Sequence, residues 1–512
     1  MRLINIHTLE VGTFIGEEIP EYAILSHRWC DADNSISFAS FTSGCDKASA
    51  GYRKVVDFCN FVKREKDHFW PVRDTKDYEW SEKLCPGTSR RRGARHNCEF
   101  LSNVDWIWID TCCIDKSSSA ELPESINSMY QFYARAKACI VHLHDIDTPP
   151  CGESLCNVDC ETCDHTKHQI KHSEWFRRGW TLQELVAPHT RVFVSADWRI
   201  IGGIFDLVKW TNASDNVLLS CVAEASKIPS VVFTDQRQVR AASVAQRLSW
   251  AADRVTTRTE DRAYSLFGLL QVNLPLLYGE GSRAWLRLQQ EIVRSSGDES
   301  IFAWEADCPG REGMLPSPQP VLASHLEWFA NSLAVRRTPR FERLPYVITN
   351  QGLELRLRSS TAFLTFPPRG RTITIPLNCG ATTEASICDV GARVLVLQRR
   401  ALCGHYERLG CPETHAVPDL FQALGHQPEW IECDEETIYV HTSPDQCHSG
   451  LEIGGQAVTT IRATPHMSSV LRSMTANGAD DMKEASRERR IEHTRDPVDY
   501  INKFVSSMHC VS

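Results

Sequence analysis

The sequence lacks the features of membrane, secreted and nucleic-acid-coating proteins. No stretch of the 512-residue chain approaches the ~20 consecutive apolar residues that a membrane-spanning helix requires. Its start, MRLINIHTLEVG, has no basic segment followed by an apolar run, which a secretory signal needs. The formal net charge of -9 argues against a polycation that coats nucleic acid. We therefore expect a cytoplasmic protein that does not bind nucleic acid.

Nucleotide-binding and repeat signatures are also missing. The chain has no GxxxxGK motif followed by Ser or Thr, so it contains no recognisable P-loop. We find no internal repeat, which argues against solenoid and propeller folds. One basic cluster, formed by Arg90, Arg91, Arg92 and Arg95, lies in a stretch rich in Gly, Ser and Pro. We interpret it as a solvated loop rather than a patch for nuclear import or phosphate binding.

Cysteine is abundant, with 21 residues, and in the cytoplasm most of these thiols should be reduced. Cys160 and Cys163 have the two-residue spacing of a zinc knuckle, and His165 and His168 follow them. A second matched pair of ligands is missing. The pattern therefore favours a disordered cysteine-rich loop without metal over a structural zinc site.

The length predicts two or three domains. Residues 1–305 alternate strand-like and helix-like segments, apart from two insertions at about 66–103 and 148–172. Residues 315–460 contain short β-type runs separated by Pro and Gly, which predicts a smaller, mostly β domain. Residues 465–512 form a polar, charge-mixed tail that we expect to be partly helical.

Four apolar runs in the first 305 residues have the length of buried strands. Helix-like segments with apolar residues at helical spacing lie near residues 51–63, 124–138 and 175–186. This alternation predicts an α/β fold, a parallel sheet with flanking helices. The four strand-like runs are Tyr22–Ser26, Asp105–Asp110, Cys139–Leu143 and Arg191–Ser195.

Polar side chains follow the first three of these strands, where an open parallel sheet binds its ligands. Each has a structural alternative. The aspartates can cap turns, His27 can be a satisfied core residue, and Cys112 can be a small buried side chain. The pair Asp115 and Lys116 can be an exposed ion pair of little consequence. The candidate ligand-binding residues are Ser26, His27, Arg28, Trp29, Asp110, Cys112, Asp115, Lys116 and Asp145.

The segment RGWTLQELVAP, residues 178–188, places Trp180 and Glu184 one helical turn apart on the same face. A carboxylate beside apolar residues is costly unless it is paired or functional. A salt bridge between Glu184 and Arg177 or Arg178 is the structural alternative. Trp180 and Glu184 join the candidate site.

Several blocks together resemble the fungal HET (heterokaryon incompatibility) domain, in order along nearly the first 305 residues. The resemblance implies a fold like that of the TIR domain, which is flavodoxin-like, and a role in programmed death after fusion of genetically unlike cells. It implies other incompatibility or cell-death proteins, or further copies of the chain, as partners. The blocks include YAILSHRW (22–29), WIDTCCIDK (108–116), AELPESINSMY (120–130), RGWTLQELVAP (178–188), SWAADRVTTRTEDRAYSLFGL (249–269) and LLYGEG (276–281).

Enzymatic TIR domains cleave the nicotinamide–ribose bond of NAD with a glutamate on a helix. The resemblance therefore implies Glu184 as a catalytic residue, NAD as a candidate substrate, and no required metal or cofactor. A carboxylate suits this chemistry because bond cleavage develops oxocarbenium charge on the ribose. The alternative is a non-enzymatic recognition or self-association scaffold, since a fold does not by itself settle function.

Overall fold

The fold is described from a computed structural model of the chain. In its N-terminal part, buried apolar strands alternate with amphipathic helices. Trp29, Cys160 and the expected tail at 465–512 lie outside the residues that the structure describes. The described residues are 1–28, 36–66, 70–72, 96–98, 100–147, 161–205, 217–306, 320–338, 343–357, 363–365, 372–382, 390–399, 406–408, 429–430, 436–440 and 442.

The first compact unit contains residues 1–241 and 253–284. Its strands are β1 (Arg2–Asn5), β2 (Val11–Thr13), β3 (Tyr22–His27), β4 (Trp70–Val72), β5 (His96–Cys98), β6 (Trp106–Trp108), β7 (Ala138–His142), β8 (Thr190–Val194) and β9 (Ile200–Phe205). Strands β4 and β5 form a separate antiparallel pair. The other strands form one seven-stranded sheet in the order β2-β1-β6-β3-β7-β8-β9.

The centre of this sheet confirms the predicted parallel arrangement. Strands β6, β3, β7 and β8 are parallel neighbours, and every residue of β3 is buried because both faces of the sheet are covered. The antiparallel strands on the two sides of this core, β1 and β2 on one side and β9 on the other, were not anticipated. In chain order the parallel strands lie second, first, third, fourth, so the winding direction reverses between β3 and β7. Such a switch point is where open α/β sheets bind ligands.

Helices of the first unit have the bounds Phe38–Thr42, Ala50–Glu65, Asp110–Cys113, Glu121–Arg135, Glu161–His172, Thr181–Val186, Val217–Ser226, Val231–Thr234, Arg237–Ala241, Asp261–Tyr264 and Phe267–Leu270. None of the helices within the described residues is long and apolar enough to cross a membrane.

The helix expected over 175–186 is interrupted. A 3-10 turn spans Glu174–Arg177, and the α-helix begins at Thr181. Between them Arg178 is extended and forms a parallel bridge with Val255. A Cβ atom on Gly179 would lie 2.5 Å from Thr256 Cγ2, so the segment around Val255 leaves no room for a larger residue. Tertiary packing therefore overrides the helical spacing here.

The expectation of a disordered cysteine-rich loop is wrong for residues 161–172, which form a helix. Cys163 is fully buried, whereas His165 and His168 are exposed. The cysteine and the histidines consequently point to different sides of the helix. Over the described part of the chain, no cluster of three or more His, Cys, Asp or Glu side chains could hold a metal ion.

The second compact unit contains residues 242–252 and the chain from 285 onwards. Its strands are β10 (Val335–Arg337), β11 (Val347–Thr349), β12 (Gly352–Leu357), β13 (Phe363–Thr365), β14 (Thr372–Thr382), β15 (Val390–Arg399), β16 (Tyr406–Arg408), β17 (Glu429–Trp430) and β18 (Glu436–Val440). They form one sheet in the order β11-β12-β18-β16-β15-β14-β13-β17, with β10 beside β14. Its helices are Val244–Ala252 and Arg283–Ser295, with 3-10 turns at Glu299–Phe302 and Leu326–Phe329.

The two units divide the chain differently from the predicted boundary at residue 305. Helix Val244–Ala252 belongs to the second unit because its first turn is bonded there. The Val244 amide donates to Asp298 Oδ2 at 2.9 Å, and Ser243 Oγ donates to the Val335 carbonyl at 2.7 Å. The chain thus leaves the first unit for one helix and returns to it at residue 253. Helical spacing alone does not reveal which core a helix joins.

A glycine contact in the first unit provides a test of its packing. A Cβ atom on Gly268 would lie 2.1 Å from Tyr130 Cβ, so Gly268→Ala forces two helices apart. We expect a loss of about 1–3 kcal/mol in the free energy of unfolding, as overpacking typically causes. Thermal melting measures it, with Gly297→Ala as the control because that Cβ meets nothing within 4 Å. Equal melting temperatures for the two variants would contradict the packing.

Candidate functional site

The Glu184 carboxylate lies at the carboxyl end of β3, beside the switch point of the sheet. Ser26 Oγ donates a hydrogen bond to Glu184 Oε2 at 2.5 Å. The indole Nε1 of Trp175 donates to the same Ser26 oxygen at 3.0 Å, which orients the hydroxyl toward the glutamate. Ser26 and Trp175 are fully buried, so this chain of hydrogen bonds is shielded from water. The arrangement holds Glu184 in one position.

Helix Thr181–Val186, hereafter the Glu184 helix, is anchored by its apolar side. Leu182, Leu185 and Val186 are fully buried. Thr181 Oγ1 donates to the carbonyls of Trp175 at 2.7 Å and Arg178 at 2.9 Å, which ties the helix start to the preceding 3-10 turn. The Glu184 side chain, by contrast, retains partial solvent exposure.

Burial and, to a smaller extent, the nearby Asp110 charge raise the pKa of Glu184, which lies at about 8. Hydrogen bonds from Ser26 and Tyr133 and the charge of Arg178 oppose this increase. The carboxyl group is therefore largely protonated at neutral pH and ionises in the range where small changes in its surroundings matter.

Two further groups feel the charge of Glu184. Burial lowers the pKa of the Arg254 guanidinium, and the Glu184 charge opposes that decrease. Burial raises the pKa of the Cys139 thiol, and the Glu184 charge raises it further. Cys139 Sγ also donates to the Glu184 carbonyl at 3.8 Å. The site therefore combines one titrating carboxyl group with a buried cation behind it.

Asp110 lies close enough to Glu184 for its charge to raise the pKa of the glutamate. It opens the short helix Asp110–Cys113 directly after β6, and Lys116 Nζ is 3.9 Å from its Oδ2. Cys112 in that helix is fully buried, and burial raises the pKa of its thiol to about 12. Such a thiol stays protonated and unreactive. The residues that follow strand β6 thus contribute a carboxylate and an ammonium group and no reactive thiol.

The structure separates His27 from Ser26, although the sequence placed them together. Adjacent residues of a strand point to opposite faces, so His27 lies across the sheet from Glu184. It is paired in register with His142 of β7, and its ring is buried. Burial and the nearby Lys54 charge hold the pKa of His27 well below its usual value. Both histidines are neutral core residues at the end of the sheet.

Arg28, Asp145 and Asp115 act as structural connectors. Arg28 forms an ion pair with Glu174. Asp145 accepts hydrogen bonds from Ser173 Oγ and from the Glu174 amide, each at 2.8 Å, so it caps the 3-10 turn. Asp115 accepts from the Ser117 amide at 3.0 Å within its own turn. The capping alternative therefore describes Asp145, whereas Asp115 is bonded within its own turn and Lys116 is paired with Asp110 instead of Asp115.

Four residues that support the site were not among the candidate site residues chosen from the sequence: Tyr133, Trp175, Arg254 and Asp261. Arg254 Nη1 donates to the Arg178 carbonyl and to Thr181 Oγ1, each at 3.0 Å. The indole Nε1 of Trp180 donates to Asp261 Oδ2 at 3.2 Å. The spacing of residues within a short stretch of sequence cannot predict these contacts, because the partners are many residues apart in the chain. Only the similarity of the 249–269 block to the HET domain pointed toward the segment that contains Arg254 and Asp261.

Comparison with known proteins bears on the same strands. Residues 22–157 match the family model of the heterokaryon incompatibility protein (HET). The vegetative incompatibility protein HET-E-1 of Podospora anserina is 34% identical over 281 residues. Both findings support a relationship between this chain and the HET family. The aligned part is 55% of this chain but only 17% of that relative, and no solved structure matches. The HET match includes Ser26 and Asp110 and ends before Glu184.

The raised pKa predicts how stability depends on pH. Because the folded-state pKa of about 8 exceeds the ordinary value of 4.5, the parent protein loses stability as pH rises through this interval. Glu184→Gln removes the loss. We expect the variant to melt with the parent at pH 4.5 and above it at pH 9. Glu10→Gln, at an exposed position, is the control and should follow the parent throughout. Identical melting curves for Glu184→Gln and parent at pH 9 would contradict the burial of the charge.

Proposed function

We propose that this chain acts in heterokaryon incompatibility, in the self/non-self recognition and programmed cell death that follow fusion of genetically unlike fungal cells. The HET match and the similarity to an incompatibility protein support this role. We further propose that the first unit contributes as an NAD glycohydrolase with a TIR-like fold. Glu184 is the catalytic residue of this proposal, and NAD is its substrate.

The observation that carries the proposal is the Glu184 carboxyl group held by Ser26 at the switch point of the sheet. A ligand at this edge brings its reacting bond close to a carboxylate. In the reaction the glycosidic bond breaks, its electron pair leaves with the nicotinamide nitrogen, and water adds to the ribose carbon with loss of a proton. An ionised Glu184 stabilises the oxocarbenium charge that develops on the ribose. Asp110 adds a second negative charge nearby.

The protonation of Glu184 links binding to catalysis. Without ligand, burial keeps much of the carboxyl group protonated at neutral pH. The nicotinamide ring of NAD carries a positive charge, and a cation placed beside a carboxyl group favours its ionised form. Binding of the oxidised cofactor should therefore release a proton from Glu184. A neutral analogue that lacks the charged ring should not have this effect.

Replacement of Glu184 tests the catalytic role. Glu184→Gln keeps the size of the side chain and its capacity to hydrogen-bond Ser26 but removes the charge. We expect NAD turnover by the purified protein to fall on the order of a hundredfold or more, as when a main electrostatic stabiliser is deleted. Cell killing should fall in parallel. Glu10→Gln serves as the exposed control, and a folded Glu184→Gln variant with parental turnover would exclude this mechanism.

The pH dependence provides an independent test. If ionised Glu184 is required, kcat/KM falls about tenfold per pH unit below the pKa of about 8 and levels off above it. In the pH profile of kcat, the rising part should lie at lower pH than in the profile of kcat/KM. The reason is that the bound cationic substrate favours the ionised form of Glu184. Burial, the hydrogen bonds from Ser26 and Tyr133, and the charges of Asp110 and Arg178 set the position of the rising limb in the profile of kcat/KM. A profile that decreases steadily from pH 7 to pH 9 would oppose the assignment.

A non-enzymatic scaffold is the second candidate, and exposed apolar residues favour it. Val255 is 63% exposed and Leu277 is 51% exposed, both in the segments that follow the return of the chain to the first unit. Exposed apolar side chains mark protein interaction sites when they form a patch. If Glu184→Gln kills cells as well as the parent does, Val255→Glu and Leu277→Glu should instead abolish killing. The occupant would be another incompatibility protein or a second copy.

A further inference from the structure

The segment after residue 253 holds the start of the Glu184 helix. The Val255 amide donates to the Arg177 carbonyl at 2.7 Å, and the Gly179 amide donates to the Val255 carbonyl at 2.8 Å. These two bonds fix the backbone just before the helix begins. They leave the direction of the helix itself to be set by the residues of its first turn, Trp180 and Thr181.

Trp180 is bound by a carboxylate that has a second partner. Asp261 Oδ2 accepts the indole N–H of Trp180 at 3.2 Å, and Asp261 Oδ1 accepts the hydroxyl of Tyr278 at 2.9 Å. The Tyr278 ring is itself fixed. It packs edge-on against Tyr264 at 5.3 Å, and the Arg258 guanidinium lies 4.5 Å from its centre. Asp261 therefore connects Trp180 to an immobilised tyrosine.

The loop that carries Tyr278 is also held in place by hydrogen bonds to Glu260. Glu260 Oε1 accepts hydrogen bonds from the amides of Gly279 at 2.8 Å and Gly281 at 3.0 Å. Both glycines have positive φ angles, 103° and 58°, which other residues adopt only at a cost. Neighbouring carboxylates thus perform different tasks, since Glu260 shapes the loop and Asp261 joins that loop to the Glu184 helix.

We propose that Asp261 is a positioning residue for the Glu184 site. By fixing the indole of Trp180 it sets the direction of the Glu184 helix, and Glu184 then reaches Ser26 from one turn further along. The inference about position stands on geometry alone, whereas its consequence for turnover rests on the proposed NAD hydrolysis. A carboxylate suits the task because it can accept from two donors at once, and bonds to a charged acceptor are stronger than neutral ones.

The decisive substitution is Asp261→Leu, which keeps much of the side-chain volume and removes both acceptors. Amide hydrogen exchange without substrate measures the result in a peptide covering residues 181–187. We expect exchange about tenfold faster or more, the factor that corresponds to one lost hydrogen bond to a charged group. Trp180→Phe removes the donor instead and should have the same effect. It also maintains the test if Asp261→Leu does not fold.

The matched control is Asp261→Asn. Its amide oxygen can accept from Trp180 while its amide nitrogen donates to the Tyr278 hydroxyl, so it should restore parental exchange. Faster exchange in Asp261→Leu and Trp180→Phe together with restoration in Asp261→Asn supports the proposal. Parental exchange in Asp261→Leu, or equal exchange in the Leu and Asn variants, would overturn it.

The pH profile of turnover separates positioning from general stabilisation. When Glu184 is displaced from Ser26, it loses a hydrogen bond that favours its ionised form, so the rising limb should move to higher pH in Asp261→Leu. A residue that only stabilises the fold would lower the rate at every pH without moving the limb, and that result would refute positioning. If the parent consumes no NAD while the exchange results hold, the proposed hydrolysis fails and the positioning stands.

Discussion

The hydrogen bond from Ser26 to Glu184 is the interaction on which the site depends. A carboxyl group at this depth loses much of its hydration, and that cost must be offset by donors placed around it. Ser26 provides such a donor because Trp175 orients its hydroxyl, and Tyr133 provides another. The ends of β3 and of the Glu184 helix must therefore meet within hydrogen-bonding distance. Sheet order, the break at Gly179 and the 253–284 segment all serve this requirement.

A comparison with Glu299 in the second unit shows what distinguishes a structural carboxylate. Glu299 is 1% exposed and accepts hydrogen bonds from Arg343 Nε, the Tyr346 hydroxyl and the Asn378 amide. These donors include a cation and satisfy both oxygens, so the group is fully occupied in holding its 3-10 turn to the sheet. Glu184 differs in having neutral hydrogen-bond donors and in being half-buried.

The chain enters the last segment of the first unit from the second unit. Residues 253–284 belong to the first unit but follow directly from helix Val244–Ala252 of the second. Arg254, two residues beyond that helix, is bonded to the start of the Glu184 helix. The candidate site in the first unit therefore combines two stretches of chain, one before residue 242 and one after residue 252.

The sequence by itself determined the parallel core. Its buried strands are continuous apolar runs, and the order of strands and helices leaves few topologies, so the sheet edge that bears Ser26 and Asp110 followed from local pattern. Glu184 was a candidate because of its helical spacing with Trp180, and the resemblance to the HET domain then implied its catalytic role. Both kinds of information are written in contiguous residues, which is why they were available without coordinates.

Only the tertiary structure decided which residues at that sheet edge lie near Glu184 and which residues hold the Glu184 helix in place. Alternation along β3 sends Ser26 and His27 to opposite faces, and capping geometry assigns Asp145 to a turn. The residues that hold Trp180 and Thr181, namely Asp261 and Arg254, are more than seventy positions away in sequence. Contacts between such distant residues depend on the packing of helices against one another. A single sequence encodes that packing but carries no periodic signal from which it could be read.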